Sequence, residues 1–139
     1  MAKDDVKEAI ADVLGTGDKV HSRQLGAAAF TAMRNVAARS LEMEASVVLE
    51  GNFTRERSET WLRELTGVAE ARVVICRTPK DRERFAARAG RRHSIHVDDI
   101  AEEWPPTEAF AIDLGVPTLV VDTTDGYKPD LETIMRFIA

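Results

Sequence analysis

Three groups of residues carry side chains whose types and spacing could do chemistry. Lys3-Asp4-Asp5-Val6-Lys7 sets two adjacent carboxylates between two cations. Such a pair can supply a general base that takes a proton from a substrate hydroxyl; it is equally the composition of a charge-balanced helix start. Val47-Val-Leu-Glu50-Gly-Asn52-Phe53 is an apolar run ending in an acid. That is the form of a strand whose terminal carboxylate helps hold Mg²⁺ or its water shell, and also of a core strand leaving a sheet at a glycine turn. Arg84 and Arg88 stand four apart, followed beyond Gly90 by Arg91 and Arg92. On a helix the first two share a face, so the set can clamp phosphoryl oxygens or simply pair in solvent with Asp81 and Glu83.

The elements that must position these groups follow from patterning. Short apolar β-branched runs alternate with helical stretches, which predicts an α/β fold with a parallel sheet. Asp4 is placed as the cap of a first helix with the stripe Val6, Ile10, Val13 and Leu14, stopped by Gly15. A long second helix runs from about Ser22 to Leu41, with Leu25, Ala29, Met33, Val36 and Ser40 along one face. Ser46–Glu50, Arg72–Cys76 and Thr118–Asp122 read as three strands buried on both faces, because none alternates. Between the first two strands lies a helix with Trp61, Leu62 and Leu65, stopped by Gly67. Thr78-Pro79-Lys80-Asp81 is a helix start with Thr as cap and Pro in the first turn. Residues 98–104 read as a short acidic helix ended by Pro105-Pro106. Pro129 opens a last helix with Leu131, Ile134, Met135 and Ile138 on one stripe.

Composition narrows the function classes. At 139 residues, 44% hydrophobic and 31% charged, the chain fits one domain, residues 1–139, with enough apolar residues for a core. A single cysteine excludes an internal disulfide framework and a multi-cysteine zinc site. Within its strand, Cys76 reads as inert core. A net charge of −5 argues against a general nucleic-acid coat, while leaving room for a local basic site. The apolar runs are too short to span a bilayer, the N-terminus has no signal-like run, and the reading is a cytoplasmic protein. His93 and His96 have ligand-like spacing, but nothing in the sequence orients them, so no metal site is assigned there. Trp61 and Trp104 read as packing residues.

In order, KDDVKE, SVVLEGNF, RTPKDRERFAARAGRRH and PTLVVDTT resemble the P-loop kinases of the zeta-toxin, chloramphenicol-phosphotransferase and polynucleotide-kinase-like group, an AAA-like ATP-binding family. The resemblance covers nearly the whole chain and rests on the ordered set, since no single motif is specific. It implies a three-layer α/β sandwich with a parallel sheet and transfer of the γ-phosphoryl of ATP, with Mg²⁺, to a hydroxyl of a small molecule or a nucleic-acid end. It places Asp4 as the general base and Lys7 as a basic residue near the acceptor. Glu50 and Asn52 match the end of the Walker-B-like strand, and Arg84 and Arg88 match lid arginines. Thr123, Thr124, Asp125 and Gly126 match the loop beside the adenine.

The family also begins with a strand, a G-x-x-x-x-G-K-[ST] loop and a helix, and these 139 residues contain no such run. Gly15-Thr-Gly-Asp-Lys19 has the wrong spacing and follows a predicted helix. The expectation is an N-terminally incomplete sandwich lacking roughly 30 residues, the length of those elements. Its strands would then pair directly, recruit a partner strand as in a homodimer, or leave apolar edges exposed. Without the phosphate cradle the chain is expected to be inactive as a kinase. The alternative is a non-catalytic binding or regulatory protein built on the same scaffold.

Overall fold

The computed structural model describes residues 1–97 and 107–139. Helix α1 (Lys3–Leu14) carries Asp4 and Asp5 in its first turn, where carboxylates complement the helix dipole. It ends at Gly15, whose φ of 85° is the left-handed geometry that favours glycine. Helix α2 (Lys19–Glu42) starts at Asp18, whose carboxylate accepts the His21 N–H at 2.9 Å. Leu25, Ala29, Met33 and Ala37 are buried along it at four-residue spacing. Two of these, Ala29 and Ala37, are small, so neighbouring chain can lie close there. Ala11 of α1, Leu25 of α2 and Ile95 form a core cluster, with Ile10 against it. Helix α3 (Arg55–Thr66) buries Trp61 and Leu62, and Phe53 lies 5.7 Å from Phe30 and 5.9 Å from Trp61 between ring centroids.

Strands β1 (Val73–Arg77) and β2 (Thr118–Asp122) pair in parallel, from Val73 with Thr118 to Arg77 with Asp122. Helix α4 (Asp81–Arg88) follows β1 and continues through a 3-10 turn at Ala89–Arg91. A second 3-10 turn spans Thr107–Phe110, and α5 (Leu131–Ile138) closes the chain behind the Asp130 cap.

The expected mixture of helices with a parallel sheet is present, and among the described residues that sheet has two strands. The run Ser46–Glu50 is extended but is not a strand. It meets its neighbour at one parallel bridge, Ala2 with Glu50, through Glu50 N–H to the Met1 carbonyl (2.9 Å) and Lys3 N–H to the Glu50 carbonyl (2.8 Å). Nor are the apolar runs buried on both faces. Val48 is 76% exposed, Val120 47%, and Cys76 is exposed rather than inert core. A two-stranded sheet has too few neighbours to cover either face, so a composition suited to burial remains in solvent. For the same reason Leu131, Met135 and Ile138 of α5 are exposed, although they form the predicted stripe.

Several helix starts also shift. The cap of α1 is Ala2 rather than Asp4, and α2 begins ahead of Ser22 and leaves Val36 in solvent. Helix α4 begins at Asp81 because Thr78 caps a turn, its hydroxyl oxygen accepting the Lys80 N–H at 3.2 Å. Helix α5 begins two residues after Pro129. The acidic helix predicted over 98–104, with Trp104 and the Pro105-Pro106 stop, lies outside the described residues. No described helix is long and apolar enough to cross a membrane.

Candidate functional site

The sequence-picked residues gather in two places. The first surrounds the start of α1. The Asp4 carboxylate accepts the Lys3 ammonium at 2.7 Å and the Arg92 guanidinium at 3.4 Å. Partial burial pushes its pKa up, but the Lys3 hydrogen bond and the charges of Lys3, His96 and Arg92 outweigh that, and the carboxyl sits below its usual range. Asp4 is thus ionised at neutral pH, as a proton acceptor must be. Glu50 is beside it through the backbone bridge, and a Cβ added at Gly51 would crowd the Lys3 Cβ at 3.0 Å. The Glu50 side chain and Asn52 are exposed.

Lys7 does not face solvent. It is 6% exposed and donates from Nζ to Ser22 Oγ at 2.7 Å, while Ser22 Oγ donates to the Ile95 carbonyl at 2.6 Å. This chain of bonds ties α1 to α2 and both to the segment before residue 97. One turn of helix further along, Glu8 Oε1 lies 2.8 Å from His96 Nε2, and Asp12 lies 3.1 Å from His93 Nε2. The histidines are therefore fastenings for the 92–96 segment. No group of three or more His, Cys, Asp or Glu residues able to hold a metal occurs among the described residues.

The second place is an open cleft of about 570 Å³ between α4 and the ends of the two strands, lined by Arg84, Arg88, Phe85, Thr78, Cys76 and Thr123 among others. Arg84 donates to the carbonyls of Thr123 and Thr124, both at 2.8 Å, and Arg88 Nε donates to the Arg84 carbonyl at 3.2 Å. The 123–126 turn is built from its own side chains. Asp122 accepts the Thr124 N–H at 2.7 Å; the Thr124 side chain and then this N–H hold its carboxyl below the usual range, and Lys80 donates to Asp125 at 3.1 Å. Gly126 completes the turn at φ 91°. Arg84, Arg88 and Thr123 thus line one cleft, and Arg84 also reaches Thr124, while Asp125 and Gly126 are not among the lining residues.

Sequence reasoning left out the residue that connects the two places. The Arg92 guanidinium lies 5.1 Å from the centroid of Phe85, which lines the cleft, while also reaching Asp4. Arg92 was visible only as one of four arginines. Its choice of partner depends on a return of the chain across 88 residues, which local spacing cannot reveal.

A solved crystal structure described as a putative kinase from Chloroflexus aurantiacus matches this fold with a TM-score of 0.77 at 26% sequence identity, covering 99% of this chain and 83% of that one. The chain has a kinase-like fold. No protein-family model matches the sequence, and no curated protein matches it. The resemblance implies a nucleoside triphosphate with Mg²⁺. β- and γ-phosphates need a nest of backbone N–H groups and a lysine. Here β1 lies directly against β2, and the guanidinium best placed at the cleft is held on two carbonyls. The described residues do not form a complete seat for that group.

Proposed function

We propose that the chain carries the acceptor and lid side of an ATP-dependent phosphotransferase acting on a hydroxyl, of a small molecule or a nucleic-acid end, and that these 139 residues do not transfer phosphoryl by themselves. The observation that supports this reading is the kinase-like match over 99% of the chain, with an ionised Asp4 at the head of α1. In this reading Asp4 takes the proton from the acceptor hydroxyl as that oxygen attacks, and Lys3 and Arg92 keep the carboxylate charged and aimed. Lys7 acts from inside, by fixing the helix that carries Asp4. Arg84 and Arg88 stand on the lid side, with the 123–126 turn as the base-contacting loop and Glu50 and Asn52 at the Mg²⁺ side.

A labelled-ATP transfer assay tests this against pooled small hydroxyl compounds and a 5′-hydroxyl oligonucleotide. The 139-residue chain is expected to give no transfer. In any preparation that does transfer, Asp4→Asn abolishes turnover and leaves nucleotide binding within about twofold, because it removes proton acceptance and little ground-state contact. Equal loss of binding and turnover would take Asp4 out of the base role.

A second reading, a non-catalytic binding protein on the same scaffold, is favoured by one observation: Arg84 is held by the carbonyls of Thr123 and Thr124. It predicts retained anion binding in the cleft with no transfer in any preparation. Its open sheet could be completed by a second copy, which sedimentation as a stable monomer would dismiss.

A further inference from the structure

Helix α1 presents Asp4, Glu8 and Asp12 at i, i+4 and i+8, a single line of carboxylates along one face. Each meets a different side chain from one five-residue segment: Asp4 meets Arg92, Glu8 meets His96, and Asp12 meets His93. The segment is fastened from below by Ile95, which is fully buried against Ala11 and Leu25 and whose carbonyl accepts the Ser22 hydroxyl.

The hydrogen-bond partners of both rings are satisfied together by one tautomer. Arginine only donates, so the 3.1 Å contact of Arg92 with His96 Nδ1 requires that nitrogen to be unprotonated. The Ile95 backbone N–H donates to His93 Nδ1 at 3.1 Å, which imposes the same on His93. In that tautomer the ring proton is on Nε2, donated by His96 to Glu8 and by His93 to Asp12. Adding a second proton to His96 sets N–H against N–H and positive charge against the Arg92 guanidinium. The groups facing His96 among the described residues are Glu8 and Asp4 from α1 and Arg92 from its own segment, with Lys3 on Asp4. Those facing His93 are Asp12 and the Ile95 amide. The carboxylates accommodate an imidazolium, whereas Arg92 cannot keep its bond to it.

We propose that residues 92–96 form a proton-operated clasp on α1, in which protonation of His96 displaces Arg92 from the imidazole and loosens its hold beside Asp4. In the clasped state Arg92 sits between Asp4 and Phe85. In the released state the guanidinium is redistributed toward the cleft that Phe85 shares with Arg84 and Arg88. The inference stands on these contacts alone, whether or not the chain takes part in phosphoryl transfer.

Nitrogen-15 long-range correlation spectra of the full chain, recorded from pH 8 to pH 5, read each ring nitrogen together with the Arg92 guanidinium. At pH 8 both histidines should show a bare Nδ1 and a protonated Nε2. As His96 titrates, exchange of the Arg92 Nη protons with water should rise roughly tenfold, the size of one lost hydrogen bond. A protonated Nδ1 on His96 at pH 8 overturns the proposal, as does an Arg92 signal that ignores the His96 titration. His96→Gln keeps an amide oxygen to accept from Arg92 but cannot titrate. In that variant the Arg92 response must vanish, and its persistence would assign the response to another group and sink the clasp.

Discussion

Removing the hydroxyl of Ser22 tests how α1, α2 and the 92–96 segment are held together. Ser22 is 6% exposed, and its oxygen accepts from the buried Lys7 ammonium at 2.7 Å while donating to the Ile95 carbonyl at 2.6 Å. Ser22→Ala deletes both bonds at once. A hydrogen bond from a charged donor contributes about 1.5–3 kcal/mol and a neutral one about 0.5–1.5 kcal/mol, so the loss should be about 2–4 kcal/mol. For a chain of this length that corresponds to a fall in melting temperature of roughly 10 °C. Because the 92–96 segment loses an anchor, the amide of Val97, which donates to the Ile95 carbonyl at 3.0 Å, should also exchange faster. Urea unfolding followed by circular dichroism, with amide exchange on the same variant, reads both. A loss under about 0.5 kcal/mol would refute the reasoning, since it would mean water replaces the hydroxyl at no cost and the site is wetter than its burial indicates.

Glu44 adopts φ 58° just past the end of α2, where a Cβ is disfavoured, so Glu44→Gly should raise stability by about 0.5–1 kcal/mol in urea unfolding. The Asp4 carboxyl has a folded pKa below the ordinary 3.8, so its ionised form stabilises the fold above that value. That contribution is lost as pH falls through the lowered pKa; unfolding midpoints of wild type and Asp4→Asn should differ at pH 5 and converge toward pH 2, and a gap that stays constant over this range would contradict the shift. Arg84→Ala should speed amide exchange at Thr124 while changing global stability by less than about 1 kcal/mol, because its two bonds to the 123–124 carbonyls are exposed.

Local rules carried the helices well. The stripe Leu25, Ala29 and Met33 is buried as its spacing predicts, Trp61 and Leu62 are core, and Gly15 and Gly67 stand at helix ends. Val73–Arg77 and Thr118–Asp122 are legible as strands because their β-branched runs find one another. Ser46–Glu50 has the same composition and fails to become a strand, since a strand requires a neighbour along its length and this run meets Ala2 at a single bridge. The candidate site divides in the same way. Arg84 and Arg88 share a helix face by spacing alone, and the 123–126 turn follows from Thr, Asp and Gly. The surroundings of Asp4 come from Arg92 and His96, brought back across 88 residues by the burial of Ile95. One apolar residue between two histidines carries that information, and nothing local marks it as an anchor.

A kinase-like fold is present here, and we propose that its described residues hold no complete seat for terminal phosphates. Calorimetric titration of the 139-residue chain with ATP, ADP and AMP, each with and without Mg²⁺, tests it most directly. ATP is expected to bind no more than about threefold better than AMP, with little change on adding Mg²⁺, because the described residues offer no complete phosphate seat. Binding of ATP more than tenfold tighter than AMP, strengthened by Mg²⁺, would contradict it.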